Sequence, residues 1–255
     1  MTLLIHQFII GADNLGVLIH DPATGHTASI DAGEEAPIVA ALEAKGWALT
    51  DILVTHHHSD HIAAASALKA RFTARLVAPL ADRHRIPDID VAVKEGDRVR
   101  VGQVAFEVIE TPGHTSGHIA YYSAAESVVF AADTLFSLGC GRLFEGTPQE
   151  MWTSLNKLAA LPDETKLYCG HEYTLSNARF AIRFDPDNAA LQKRVAEVEA
   201  LRAKGEFTIP STIGLEKATN PFLRAGEKAL AEAIGLAGHP PVEVFAALRE
   251  AKNKG

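Results

Sequence analysis

The sequence predicts an α/β architecture in which two sheets pack face to face with helices outside, followed by a helical C-terminal segment. Three observations carry this expectation. Short apolar runs bounded by turn residues recur through the first 172 residues, and helical spacings fall between them. Many of these runs are too short for a doubly wound parallel sheet. From Tyr173 onward the strand pattern stops and only helical spacing remains, broken by Gly205, Pro210, Pro221 and Pro240-Pro241.

The elements follow in order. Leu15–Ile19 and Ala28–Ile30 read as strands, and Ala36–Lys45 as a helix with Ile38, Val39 and Leu42 on one face and Gly46 as its stop. Ile52–Val54 and Leu76–Ala78 are further apolar runs. Arg98–Val101 and Val104–Ile109, parted by Gly102-Gln103, predict a hairpin. Ser127–Ala131 reads as a buried strand, and Thr147-Pro148-Gln149-Glu150 as a capping box opening a helix to about Leu161. Leu167–Cys169 is a last short strand. Beyond it, helices are expected over 175–184, 188–204 and 242–252.

A chain of 255 residues with 47% hydrophobic and 22% charged content is that of a soluble globular protein with a real core. No apolar run nears the ~18 residues that span a bilayer. The start lacks a basic leader, and two cysteines cannot build a disulfide framework, so a reducing cytoplasm is expected. Residues 1–172 hold 12 Lys and Arg against 22 Asp and Glu, and the remainder 12 against 10. This acidic balance argues against nucleic acid as partner but leaves room for a small anion met by local cations.

The most informative stretch is Thr55-His56-His57-His58-Ser59-Asp60-His61, directly after the apolar run Ile52–Val54. In extended backbone His56 and His58 share a face while His57 points away, and Asp60 and His61 follow at the turn into a helix. Imidazole and carboxylate donors delivered to one point suit a borderline-soft divalent metal. An interior position excludes a terminal expression tag. His114 stands in a Gly-flanked loop after a strand, Asp133 and His171 follow strand ends, and Asp31 lies just past another. Any one of these alone is more often a turn or a cap. Together with the histidine-rich run they read as one site.

The order His-x-His-x-Asp-His, Gly-His-Thr, strand-Asp-Thr and Gly-His-Glu-Tyr resembles the metallo-β-lactamase superfamily. Within it the chain is similar to glyoxalase II, the hydroxyacylglutathione hydrolases, also through Gly139-Cys140-Gly141-Arg142, Asn220-Pro221-Phe222-Leu223-Arg224 and Arg249-Glu250-Ala251-Lys252. The resemblance implies an αββα metallo-β-lactamase-like sandwich at 1–172 and a small helical substrate-binding domain at 173–255. It implies two divalent metal ions per chain, zinc first with iron or manganese open. His56, His58 and His114 would hold one ion; Asp60, His61 and His171 the other; Asp133 would bridge them. Hydroxide from a shared water would attack the thioester carbonyl, with Asp60 and Asp133 as the catalytic carboxylates.

The small-molecule partner so implied is a glutathione thioester, held by Arg142, Phe144, Tyr173, Arg249 and Lys252. Arg142 stands where the family commonly has lysine and Phe144 where it has tyrosine. Asp31 is expected to accept a hydrogen bond from a ligating histidine, and His57 and His118 to be structural. Neither a membrane nor nucleic acid is an expected partner, and the chain is expected to act as a monomer or weak oligomer. The runner-up is a persulfide dioxygenase-like enzyme with one iron, followed by another thioester, β-lactam or lactone hydrolase, and by an inactive scaffold.

Overall fold

The computed structural model describes residues 3–254. Contacts along the chain divide it into two compact units. The first holds the residues up to Glu110 with Thr115–Phe130; the second holds Thr111–His114 and the chain from Ala131 on.

The first unit opens on antiparallel strands β1 (Leu4–Ile10), β2 (Asn14–Asp21) and β3 (His26–Ile30). Helix α1 (Glu35–Lys45) leads to β4 (Asp51–Leu53), which pairs parallel with β3. After α2 (Ser59–Ile62) and α3 (Ala65–Phe72) come β5 (Arg75–Pro79) and β6 (Val91–Val93), both parallel additions. The sheet order is thus β1-β2-β3-β4-β5-β6. The expected strands and first helix stand where the pattern put them, and Gly46 ends α1 in a left-handed turn whose N–H reaches the carbonyls of Leu42 and Glu43.

Strand alternation explains why both faces of this sheet are covered. Leu18, Ile52, Val54, Leu76 and Ala78 pack with Ile38, Leu42 and Leu68 of the helices. Their neighbours Val17, Ile19, Leu53 and Val77 point the other way and are equally buried. A second antiparallel run, β7 (Arg98–Val101), β8 (Val104–Glu110), β9 (Ile119–Ser123) and β10 (Val128–Ala132), supplies the other layer. Cross-layer bonds fix the stacking: buried Tyr121 Oη donates to the Val54 carbonyl at 2.8 Å, and Arg75 Nη2 to the Arg100 carbonyl at 2.6 Å.

In the second unit a tight pair, β11 (Leu135–Phe136) and β12 (Gly139–Cys140), precedes α4 (Pro148–Ala159). The predicted capping box is present, with Thr147 and Glu150 each capping the other. Strand β13 (Lys166–Cys169) is followed by α5 (Thr174–Phe184) and α6 (Ala189–Ala203). Then come β14 (Ser211–Thr212), α7 (Ile213–Thr219), α8 (Lys228–Ala233) and α9 (Pro241–Lys254). The tail expected to hold only helices therefore returns one strand, β14, antiparallel to β13. Two residues offer no alternation to read. Among the described residues no helix is long and apolar enough to cross a membrane.

Candidate metal centre

In the first unit, β4 ends at Leu53, and His58, with ψ of 144°, is extended just before the turn of α2. His56 is fully buried, with its ring 4.8 Å from that of His58 and 4.2 Å from that of His61. Donor atoms of Asp31, His56 and His61 lie within 4.8 Å of one another. Asp31 is the organiser. Its carboxylate accepts the Thr55 N–H at 2.7 Å, the Thr55 hydroxyl at 2.9 Å and faces His61 Nδ1 at 2.8 Å. The Asp31 loop is stapled to α2 by Ala32 N–H donating to the His61 carbonyl at 2.7 Å. A Cβ on Gly33 would lie 2.0 Å from the Asp60 carbonyl oxygen, so only glycine permits this approach.

These bonds assign the imidazole tautomers. The single proton of the Thr55 hydroxyl goes to the Asp31 carboxylate, which only accepts. The hydroxyl 3.0 Å from His56 Nδ1 must then accept a proton from that nitrogen. His61 Nδ1 likewise donates to Asp31. Each ring therefore presents the lone pair of Nε2, the atom a metal takes. His57 turns away as expected, to buried Asp82 at 3.3 Å and to Arg85. His118 is buried and stacks on His56 at 4.8 Å.

The second unit carries His114, Asp133 and His171. Buried His114 Nδ1 donates to the Arg142 carbonyl at 2.9 Å, which again leaves Nε2 as the ligand atom. Nε2 of His114 and Nε2 of His171 each lie 3.4 Å from the same atom, Asp133 Oδ2. One carboxylate oxygen set between two imidazole nitrogens is the arrangement a bridging ligand needs. With carboxylates and imidazoles as donors, this His/Asp set suits divalent metals.

The expected substrate residues cluster in the same unit. Tyr173 lies flat on His171, ring centroids 4.7 Å apart and 4° from parallel. Phe144 meets His114 edge-on at 5.3 Å, is 62% exposed, and donates its N–H to the His114 carbonyl at 3.2 Å. Arg142 is exposed. Lys252 donates to the carbonyl and hydroxyl of Ser176, both at 3.1 Å, and its ammonium sits 5.3 Å over Phe180. Burial first, then the charges of Arg249, Arg142 and Arg183, depress its pKa to about 8. Several cations share this corner.

Arg249 stands differently. It is 5% exposed, its Nη1 donates to the Cys140 carbonyl at 2.8 Å and its Nη2 to Asn253 at 3.0 Å. Cys140, two residues from Arg142 in sequence, meets a second guanidinium in space, that of Arg249. Burial still outweighs the guanidinium and pushes the thiol up to about 11. Cys169 is pushed higher still by burial. Neither thiol is poised as a nucleophile.

Sequence reasoning missed the residues gripping the segment Phe136–Cys140. Asn177 Nδ2 donates to the Ser137 carbonyl, and Asn220 Nδ2 to those of Phe136 and Gly139. Glu216 accepts the Leu138 N–H at 2.7 Å and a short bond from Ser211. Its carboxyl pKa is raised by complete burial. The only available signal was Asn220 within Asn-Pro-Phe-Leu-Arg.

Known proteins bear on this geometry. The family model for the metallo-beta-lactamase superfamily matches residues 16–171, and the model for the hydroxyacylglutathione hydrolase C-terminus matches residues 172–255. A hydroxyacylglutathione hydrolase of Rhodopseudomonas palustris (strain BisA53) is 56% identical over 254 residues, covering 100% of both chains. One from Rhizobium etli is 54% identical over 246 residues, covering 96% of each. Among solved structures, ETHE1 from Myxococcus xanthus superposes with a TM-score of 0.67 at 29% identity, covering 99% of both chains.

Proposed function

The chain belongs to the hydroxyacylglutathione hydrolase family of the metallo-β-lactamase superfamily, and on that premise we propose that it hydrolyses S-(2-hydroxyacyl)glutathione thioesters. S-D-lactoylglutathione would give D-lactate and glutathione, the second step of methylglyoxal detoxification. The observation that carries this reading is the shared Asp133 oxygen between His114 and His171, in the same unit as the cations Arg142 and Lys252. A metal ligand set and an anion-binding corner are the two things a glutathione thioester hydrolase requires. The buried, unactivated thiols suit a reducing cytoplasm.

In this reading the first 172 residues provide the metal ligands, and residues 173–255 provide Tyr173, Arg249 and Lys252. His56, His58 and His114 would hold one divalent ion, Asp60, His61 and His171 a second, and Asp133 would serve both; zinc is the first choice for such donors. When bound, the pair supplies hydroxide near neutral pH and polarises the thioester carbonyl. Asp133 keeps negative charge between His114 and His171. Asp60, with its side chain 52% exposed, would orient the water or take its proton. Asp31 holds His61 and, through Thr55, His56 in the ligating tautomer.

Arg142 and Lys252 meet the carboxylates of glutathione, with the charge of Arg249 behind them. Tyr173 is oriented by its stack on His171, whereas Phe144 offers an exposed ring and no phenolic hydrogen bond. The leaving thiol has an ordinary pKa of about 8.5, so it departs as thiolate without a proton donor from the chain.

Purified protein incubated with S-D-lactoylglutathione should release free thiol, lose that activity to a chelator and regain it with zinc, and elemental analysis should find two ions per chain. One iron per chain with oxygen uptake on glutathione persulfide would overturn the reading.

A further inference from the structure

The segment Cys140–Arg142 is held at one end and wedged at the other. At its start the Cys140 carbonyl accepts Arg249 Nη1 at 2.8 Å, from a guanidinium that is buried, 5.2 Å over Phe222 and braced by Asn253. At its end the Arg142 carbonyl accepts His114 Nδ1 at 2.9 Å. Between them, a Cβ on Gly141 would lie 1.9 Å from the Asp133 carbonyl oxygen and 3.0 Å from His114 Nδ1. A side chain at position 141 would collide with Asp133, so glycine lets the segment lie against Asp133 and His114. A guanidinium 109 residues away in sequence fixes where it lies.

We propose that Arg249 is a positioning residue of the metal centre: by holding the Cys140 carbonyl it keeps the Arg142 carbonyl on His114 Nδ1 and Gly141 against Asp133. Two of its donors, one on Nη1 and one on Nη2, are spent on the Cys140 carbonyl and on Asn253. Its effect on ligands runs through His114, whose ring orientation depends on the Nδ1 bond. This inference rests on the metal ligands and the hydrolysis proposed above, and the zinc competition tests the first apart from the second.

The test separates positioning from substrate contact. Arg249→Met should weaken zinc retention against a competing chelator by about 10–100-fold, the usual effect of losing a partner behind a ligand. It should also lower kcat on a truncated thioester without carboxylates, S-lactoyl-N-acetylcysteamine. Arg249→Lys, which retains one donor for the Cys140 carbonyl, should recover part of both losses. Asn253→Ala, at an exposed position, should shift zinc retention in the same direction by less, and it keeps the question open to measurement if Arg249→Met does not fold. A residue that only touches substrate would raise KM for the glutathione thioester and leave zinc retention and the truncated substrate unchanged. A merely structural residue would lower Tm with zinc retention intact. Either result overturns the proposal. If the wild type hydrolyses neither thioester, the proposed function fails while the zinc competition still decides the role of Arg249.

Discussion

Asp31 shows how one carboxylate governs several ligands. Its backbone is left-handed, with φ of 59°, a conformation that costs a non-glycine residue energy and persists where surroundings enforce it. Here the return is a carboxylate bonded to Thr55 and His61 together. Asp31→Ala should free both imidazoles to change tautomer and lower zinc affinity about 10–100-fold, read by chelator competition. Lys252 predicts a pH dependence. With its pKa depressed to about 8, it is charged below that pH and loses its proton as pH rises through it. An anionic substrate is therefore met by one cation fewer above pH 8. Since kcat/KM reports the free enzyme, it should decline above about pH 8 while kcat does not share the inflection. Lys252→Arg, which keeps its charge, should remove the decline; an unchanged pH profile would show that Lys252 does not meet the substrate.

At the scale of elements, the loop carrying His114 depends on the helix beneath it. Gly113 has φ of 147°, and a Cβ there would lie 2.7 Å from Met151 Cβ and 2.9 Å from its Cα on α4. The helix also donates Ser154 Oγ to the Pro112 carbonyl at 2.7 Å. Gly113→Ala should cost about 1–3 kcal/mol in urea denaturation, from strain and overpacking, and weaken metal binding alongside. A variant of native stability and native zinc content would show the loop to be softer than its packing implies. The sequence declared α4 clearly, because a capping box is a local signal four residues long. Other elements were silent for physical reasons. β9 is Ile-Ala-Tyr-Tyr-Ser, buried at all but one position, so no polar face marks its period. β1 lies at the sheet edge, partly exposed along most of its length, and shows no contrast between faces. The candidate ligands of the His56–His61 run were legible because their spacing is local, and His114, Asp133 and His171 because each follows a strand end. Asn177 and Glu216 were not, and Arg249 was read only as a substrate contact, since each acts on residues 40, 78 and 109 positions away.

For the whole molecule, these distant contacts decide whether residues 1–172 can stand alone. The two family models meet at 171/172, yet the segment joining Asp133 to Arg142 takes its conformation from later residues. The carbonyls of Phe136, Ser137, Gly139 and Cys140 and the N–H of Leu138 are bonded by side chains of α5, α7 and α9 or of Asn220. Leu138 is buried in a cluster with Ala178, Ala181, Leu191 and Val198. Deleting residues 173–255 removes the four side chains that make these five bonds and exposes Leu138 to water. Each lost bond is worth about 0.5–1.5 kcal/mol and the lost burial of Leu138 about 1.5–3, against a total stability of about 5–15 kcal/mol. No local propensity in Phe-Ser-Leu-Gly-Cys replaces those constraints. A 1–172 fragment should therefore show poorly dispersed amide resonances for this segment and retain less zinc per chain than the full protein. A monodisperse fragment with full zinc content and native chelator resistance would show that the helical region serves the substrate alone and leaves the metal centre to shape itself.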